Sequence, residues 1–470
     1  MPKRLLMLLG AIVTIGGCSL APSYTQPEAP VPDAWPTGPA YAAAVTAPGA
    51  PATADLPWRA FFTDARLRRV IQTALDHNRD LRLASLNVQR ARAIYGIQRS
   101  AIYPALDATA NASRQRVPAD LSSSGRSRTA EQYDVNLGVF SWEVDFFGRI
   151  RSLKDQALEV YLATEQARRA TRILIVSAVA DAYLTLAADQ ENLKLARTTL
   201  EAQQAAYQLI KRRVEVGLAS ELDLNRAQTQ VDIARGDSSR FTQRVARDQN
   251  ALNFLVGTPT AVPDETLSPD LTDVEPFQTI SAGISSEVLL SRPDILQAEN
   301  FLKAANANIG AARASLFPRI SLTTAMGTAS SELSGLFDSG SGTWLFAPRI
   351  IMPVFDARLW SALDASLTER EIALVQYEQA IQIAFRDVAD TLAVQGTIDE
   401  QLAAQQSLVR AASQTYRLAD ARYTRGVDNY LGVLDAQRAL YAAQQEMVFL
   451  RLTKRANQAR LYAVLGGGAE

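Results

Sequence analysis

Apolar residues step by seven along two long stretches of the chain. Leu186, Leu193, Leu200, Tyr207 and Val214 run into Gly217. Leu367, Leu374, Ile381, Val388, Leu402, Val409, Tyr416 and Tyr423, with polar Gln395 in the same register, run into Gly426. Past each glycine the series resumes, as Leu224, Val231, Ser238, Val245 and Leu252 and as Val433, Leu440, Met447, Lys454 and Leu461. A heptad sustained this long predicts helices packed as left-handed coiled coils. At 1.5 Å per residue, the helix from about Ile150 to Val216 reaches ~100 Å.

The two sets coincide under an offset of slightly over two hundred residues, which exposes an internal repeat. Asp80-Leu81 through Ala91, Ala93, Gly96 and Tyr103-Pro104 matches Asp294-Ile295 through Ala305, Ala307, Gly310 and Phe317-Pro318. Arg213 to Leu218 with Ala227-Gln228 matches Arg422 to Val427 with Ala436-Gln437. Each half therefore has one plan: a helix ending at an aromatic-Pro pair, a polar alternating region, and two long helices separated by a glycine. Taken alone, the heptads also fit a plain coiled-coil rod.

The alternating regions are what separate a rod from a channel. Leu106 to Asn111, Tyr133 to Val139 and Ile320 to Met326 alternate apolar and polar residues, and Trp344 to Met352 follows. Such alternation over about ten residues is the signature of a transmembrane β-strand, shared with soluble hairpins. Polar tips at Ala119–Thr129 and Ser330–Gly342 divide the strands into two pairs, and Tyr103, Trp142, Phe317 and Trp344 stand near strand ends, where an aromatic girdle belongs. Four strands cannot close a barrel, and an open edge in lipid leaves backbone groups unsatisfied. The strands make sense in a membrane only when several chains share one barrel.

The N-terminus sets the compartment. Lys3-Arg4, an apolar run from Leu5 to Ile15 and then Gly16-Gly17-Cys18 have the shape of a secretory signal ending in a lipobox. Cys18 is the single cysteine of the 470 residues, and two or three acyl chains on it would anchor the protein firmly. An ordinary cleaved signal is the alternative. Ser19 after the cysteine favours the outer membrane. The Pro- and Ala-rich stretch from Leu20 to Pro57 reads as an extended leash that does not pack by itself.

Composition removes other classes. The formal net charge of −1 lacks the basic field of a nucleic-acid binder. One His (His77) and one Cys leave no Cys/His zinc site, intrachain disulfide or repeated metal motif, so no metal or cofactor beyond the lipid on Cys18 is expected, and an enzyme starts at a disadvantage although carboxylates and lysines remain. No stretch after the signal reads as apolar enough, over the ~18–20 residues required, for a membrane helix.

At this point the chain resembles the outer membrane factor family, the TolC/OprM-like channels of RND-type tripartite efflux systems, and in particular its lipoprotein branch. The resemblance rests on Trp58 to Asp64 with Asn78 and Asp80-Leu81, on Trp142-Glu143-Val144-Asp145-Phe146-Phe147-Gly148-Arg149, on Arg292-Pro293-Asp294-Ile295 with Phe317-Pro318, and on Gly426 to Tyr430 with Leu434 to Arg438. It implies a mainly α protein with a membrane β part: a homotrimer sharing a 12-stranded β-barrel and a 12-helix α-barrel that crosses the periplasm. The chain then divides into a signal peptide (1–17), a lipid-anchored extended linker (18–57), a first helical segment (58–104), strands 1 and 2 (105–143), the first long helix pair (144–256), a linker (257–285), a second helical segment (286–318), strands 3 and 4 (319–354), the second long helix pair (355–465) and a tail (466–470).

The resemblance also implies sites and partners. The turns at Val216, Gly217, Leu218, Gly426 and Val427 form the periplasmic tip that meets an adaptor (membrane fusion) protein, itself joined to an inner-membrane RND-type transporter. Leu431 and Asp435 match an apolar ring and a carboxylate ring that narrow the closed pore. Asp223 and Tyr423 match a pair bonded in the closed state. Gly432 stands where the TolC branch has a second gate aspartate, which favours a single carboxylate ring. The implied function is a passive, gated outer membrane conduit for drugs or other small toxic molecules. Rival readings are the outer membrane channel of a type I protein secretion system and a periplasmic coiled-coil scaffold without a pore.

Overall fold

The structure is a computed structural model, and it describes residues 19–41, 56–280 and 285–469. The signal peptide and Cys18 lie outside the described residues. The elements run α1 (Trp58–Phe61), α2 (Ala65–His77), α3 (Arg79–Ser100), β1 (Asp107–Val117), β2 (Arg128–Val144), α4 (Arg149–Glu215), α5 (Glu221–Val256), α6 (Pro293–Ala314), β3 (Arg319–Ser330), β4 (Gly342–Ile351), α7 (Ala357–Thr424) and α8 (Tyr430–Val464), with short 3₁₀ turns between α5 and α6 and between β3 and β4. The chain forms two compact units, one of residues 1–27, 88–164 and 298–377, the other of 28–87, 165–297 and 378–470.

The first unit holds an antiparallel sheet of order β1-β2-β3-β4. Residues directly opposite in register share a face, so the pairing sorts the sheet by chemistry. Ala108, Ala110, Leu137, Val139, Leu322, Met326, Trp344, Phe346 and Ile350 fall on one face, because Ala108 pairs with Leu137, Leu137 with Met326 and Met326 with Trp344. Thr109, Asn111, Asp134, Asn136, Ser321, Thr323 and Arg349 fall on the other. A bulge keeps β2 in phase: between Val139 and Trp142 it carries one extra residue against β3, and Ser141 there takes φ +58°. Trp142 and Val144 thereby remain on the apolar face, opposite Leu322 and Ile320. Gly327 lies so close to β2 that a Cβ would stand 2.0 Å from the Val135 carbonyl oxygen.

The motif blocks have mechanical jobs. In the first unit Glu143, at the end of β2, accepts two hydrogen bonds from the Arg149 guanidinium at 2.8 and 2.7 Å and two from Arg319 at 3.2 and 2.7 Å, tying β2 to α4 and β3. Asp145 caps α4, accepting from the N–H groups of Ile150 and Arg151 at 3.1 and 2.8 Å. In the second unit Asp64 caps α2 and Asn78 does the same for α3. Phe61 stacks on Tyr462 at 4.2 Å, with Phe62 edge-on to both and Phe277 tilted against Phe61. Arg292 forks onto Asp294 and donates to the Val464 carbonyl at 2.6 Å, fastening the end of α8.

Every heptad position named above is buried or half-buried except Leu367. Two expectations are corrected. Within α4 one 18-residue window is apolar enough by composition to cross a bilayer, whereas no such stretch was expected. Ile175, Val176, Val179, Tyr183 and Leu184 are buried inside the fold, so this apolarity serves core packing. The described part of the Pro-rich segment, residues 20–41, is not a free leash. In the first unit α6 holds it, with Arg313 and Asn306 donating to the carbonyls of Leu20 and Pro22 and Glu299 accepting from the Tyr24 hydroxyl at 3.0 Å. In the second unit Ser286 donates to the carbonyls of Pro32 and Asp33, and buried Trp35 stacks on Phe385. Backbone carbonyls of a Pro-rich chain are free acceptors, and the interspersed Tyr24 and Trp35 supply side chains that pack.

Candidate functional site

Two turns in the second unit end α4 and α7 and lead into α5 and α8. Gly217 and Gly426 adopt φ +78° and +76°, a region that costs an L side chain its Cβ clearance. The Gly217 N–H donates to the Val214 carbonyl at 3.0 Å and the Leu218 N–H to that of Arg213 at 2.7 Å. The second turn repeats this, with Gly426 to Tyr423 at 2.9 Å and Val427 to Arg422 at 3.0 Å. The nested pair is a Schellman motif, which satisfies the last helix carbonyls and reverses the chain. Ser220 then caps α5, accepting from the Asp223 N–H at 3.2 Å, and Asn429 stands at the same position before α8.

Behind the turns, Ile210, Ala227, Tyr430, Val433 and Leu434 form a buried cluster against which Tyr207, Val214, Leu224, Tyr416 and Tyr423 pack. Burial, aided by the neighbouring Tyr423, Tyr416 and Asp223, pushes the Tyr430 phenol up to about 12. In contrast, Val216, Leu218 and Val427 at the turns are exposed. Five residues expected at the tip therefore do sit in the two turns, with their apolar side chains outward.

Of the expected gate residues, Leu431 is 40% exposed and the Asp435 side chain 65% exposed, four apart on the first turns of α8. The nearest cation to Asp435 is Arg438 of the same helix, at 4.0 Å. Asp223 and Tyr423, matched to a bonded pair, have other partners within this chain. The Asp223 carboxylate accepts from the Ser220 hydroxyl at 2.7 Å and lies 3.8 Å from Arg226. Tyr423 packs on Tyr430 with ring centroids 5.2 Å apart, and the Arg213 guanidinium stands 5.0 Å above its ring. Sequence reasoning missed Arg213, Tyr430 and the Arg422–Asp428 ion pair that closes the second turn. A side-by-side reading of the two repeats carries the signal for the last.

These side chains offer exposed apolar and carboxylate groups beside the two turns. Comparison with known proteins identifies the architecture. The profile of the outer membrane efflux protein family fits residues 70–258 and 284–467. The antibiotic efflux pump outer membrane protein ArpC and the toluene efflux pump outer membrane protein TtgC, both of Pseudomonas putida, are each 48% identical over 469 residues, covering all of this chain and 96% of the relative. The open state of the Neisseria gonorrhoeae MtrE outer membrane channel superposes with a TM-score of 0.86 at 36% identity, covering 96% of this chain and 99% of that one. The heptad repeats, the two-faced four-stranded sheet and the paired glycine turns are thus those of a known kind of protein, and the chain belongs to the outer membrane efflux protein family.

Proposed function

We propose that the chain is the outer membrane channel of a tripartite efflux pump, a passive trimeric conduit for antibiotics, solvents and other small toxic molecules. One observation carries the reading: the register of the sheet gives one apolar and one polar face and, among the described residues, leaves β1 and β4 as open edges. A sheet with a lipid-compatible face and two unpaired edges is complete in a membrane only when β4 of one copy pairs with β1 of the next. Three copies close a barrel of the size the polar face can line with water.

The lipid on Cys18, exposed as the N-terminus once the signal before it is removed, fastens the N-terminal end to the outer membrane. The exposed turns at Val216, Gly217, Leu218, Gly426 and Val427 meet the hairpins of a periplasmic adaptor, which links the channel to an RND-type transporter in the inner membrane. Leu431 and Asp435 narrow the pore, three copies of each facing the axis, and the carboxylates favour cations over anions. Asp223 and Tyr423 hold the tips of the two repeats in the narrowed arrangement, and the adaptor opens the channel by binding the wide arrangement better.

The test is electrical. The purified protein in planar bilayers is expected to conduct as a trimer, and Leu431→Ala with Asp435→Ala to raise single-channel conductance and reduce cation preference. Unchanged conductance removes these residues from the gate. Deletion of the gene is expected to sensitise cells to antibiotics and toluene. Loss of a secreted protein, with susceptibility unaltered, favours the secretion reading instead.

A further inference from the structure

The two tip turns share one backbone but not one set of side-chain contacts. With Gly217 laid on Gly426, Arg213 falls on Arg422 and Ala219 on Asp428. In the second repeat Arg422 is bound within its own turn, its Nη2 3.1 Å from the Asp428 carboxylate. In the first repeat that carboxylate is replaced by the methyl group of Ala219, and although Glu215 lies in the same stretch, no ion pair among the described residues holds Arg213 in its own turn. It reaches the other repeat instead, and its guanidinium stands 5.0 Å above the ring of Tyr423. That ring also packs on buried Tyr430, so Tyr423 touches both a cation of α4 and the first residue of α8.

We propose that Arg213 is a positioning residue of the gate, a cation–π latch that ties the first repeat to Tyr423 of the second and is available only because Ala219 leaves it unpaired in its own turn. The inference rests on the gate reading given above. A guanidinium over a phenol ring is attracted by the ring quadrupole and is tolerant of small sliding motions, which suits a contact between two helix pairs that move past each other. The Arg422–Asp428 bridge, in contrast, spans a single turn and stiffens it without joining the repeats. The two arginines thus do different work: one shapes a tip and the other couples two tips.

Three variants separate the latch from mere packing. Arg213→Gln keeps a polar side chain but removes the cation, and it is expected to raise the wide-state occupancy of the trimer in bilayers about two- to five-fold. Arg213→Lys, which restores a cation over the ring, is expected to return it to near the native value. Ala219→Asp leaves every native cation in place but rebuilds in the first turn the bridge of the second. It is expected to draw Arg213 away from Tyr423 and to raise occupancy as Arg213→Gln does. Heat-modifiable trimer migration on gels is expected to be native in all three; Ala219→Asp carries the test should Arg213→Gln not assemble. Native occupancy in Ala219→Asp, or no recovery in Arg213→Lys, overturns the latch. If Leu431→Ala with Asp435→Ala raises conductance while these variants do not, the gate stands and the latch falls. Silence of all of them brings down the gate reading as well.

Discussion

Asp248 on α5 is a carboxyl group in the wrong surroundings for a charge. Burial raises its pKa to about 6, and Asp189 beside it adds to the rise, against the smaller opposing pull of Arg247 and Arg244. Asp189 lies 3.9 Å from Arg244. The sign follows from proton counting. Between the ordinary carboxylate pKa and about 6 the folded protein binds more protons than the unfolded chain, so stability falls as pH rises through that window and stays reduced above it. Asp248→Asn removes the penalty. Its melting midpoint is expected to exceed that of the native protein at pH 7.5 and to match it at pH 4, followed by circular dichroism in detergent. A midpoint gain of equal size at both pH values assigns the effect to packing and not to the proton. Nothing in the sequence marks this pair, because Asp189 and Asp248 sit on different helices with no repeat or motif linking them.

At the scale of elements, what was legible depended on how local the cause is. The heptads and the two glycine turns are local patterns, and α4 and α7 run unbroken to those turns as the seven-residue step requires. Strand β1 was visible only at its start, since Ser113-Arg114-Gln115-Arg116 shows no alternation and is held in the sheet by register with β2. The bulge at Ser141 left no trace in the sequence, because its purpose is to correct a phase set by β3. Deleting Ser141 leaves two steps from Val139 to Trp142 against two from Thr324 to Leu322, so it is expected to remove the bulge, keep Trp142 and Val144 on the apolar face and Glu143 beside Arg149 and Arg319, and preserve heat-modifiable trimers in outer-membrane extracts. Ser141→Gly, which takes φ +58° without penalty, is expected to assemble like the native chain. A deletion that fails to assemble shows that the bulge itself, and not only the phase it corrects, is required. The pinned N-terminal segment escaped for the opposite reason: Pro and Ala dominate its composition, while its few anchors act through partners hundreds of residues away.

For the whole molecule the decisive property is that the sheet is unfinished in one chain. Leu345 and Phe346 are neighbours on β4, both exposed in the single chain at 49% and 61%, so exposure alone does not distinguish them. Register does. Phe346 pairs with Thr324, which pairs with Val139, on the apolar face; Leu345 pairs with Ala325, which pairs with Gly138, on the other. In an assembled barrel a lysine on the lipid side costs about 2–4 kcal/mol near the midplane, while a lysine on the water side is solvated. Phe346→Lys is therefore expected to deplete trimers from the outer membrane and to send the protein to periplasmic proteolysis. Leu345→Lys is expected to assemble and to shift ion preference of the open channel toward anions, measured as a reversal potential across a salt gradient. The same charge placed one residue apart thus has opposite consequences only when the sheet has lipid on one side and water on the other. Equal tolerance of both lysines points to a sheet with water on both sides, and a scaffold without a pore would then account for the long helices.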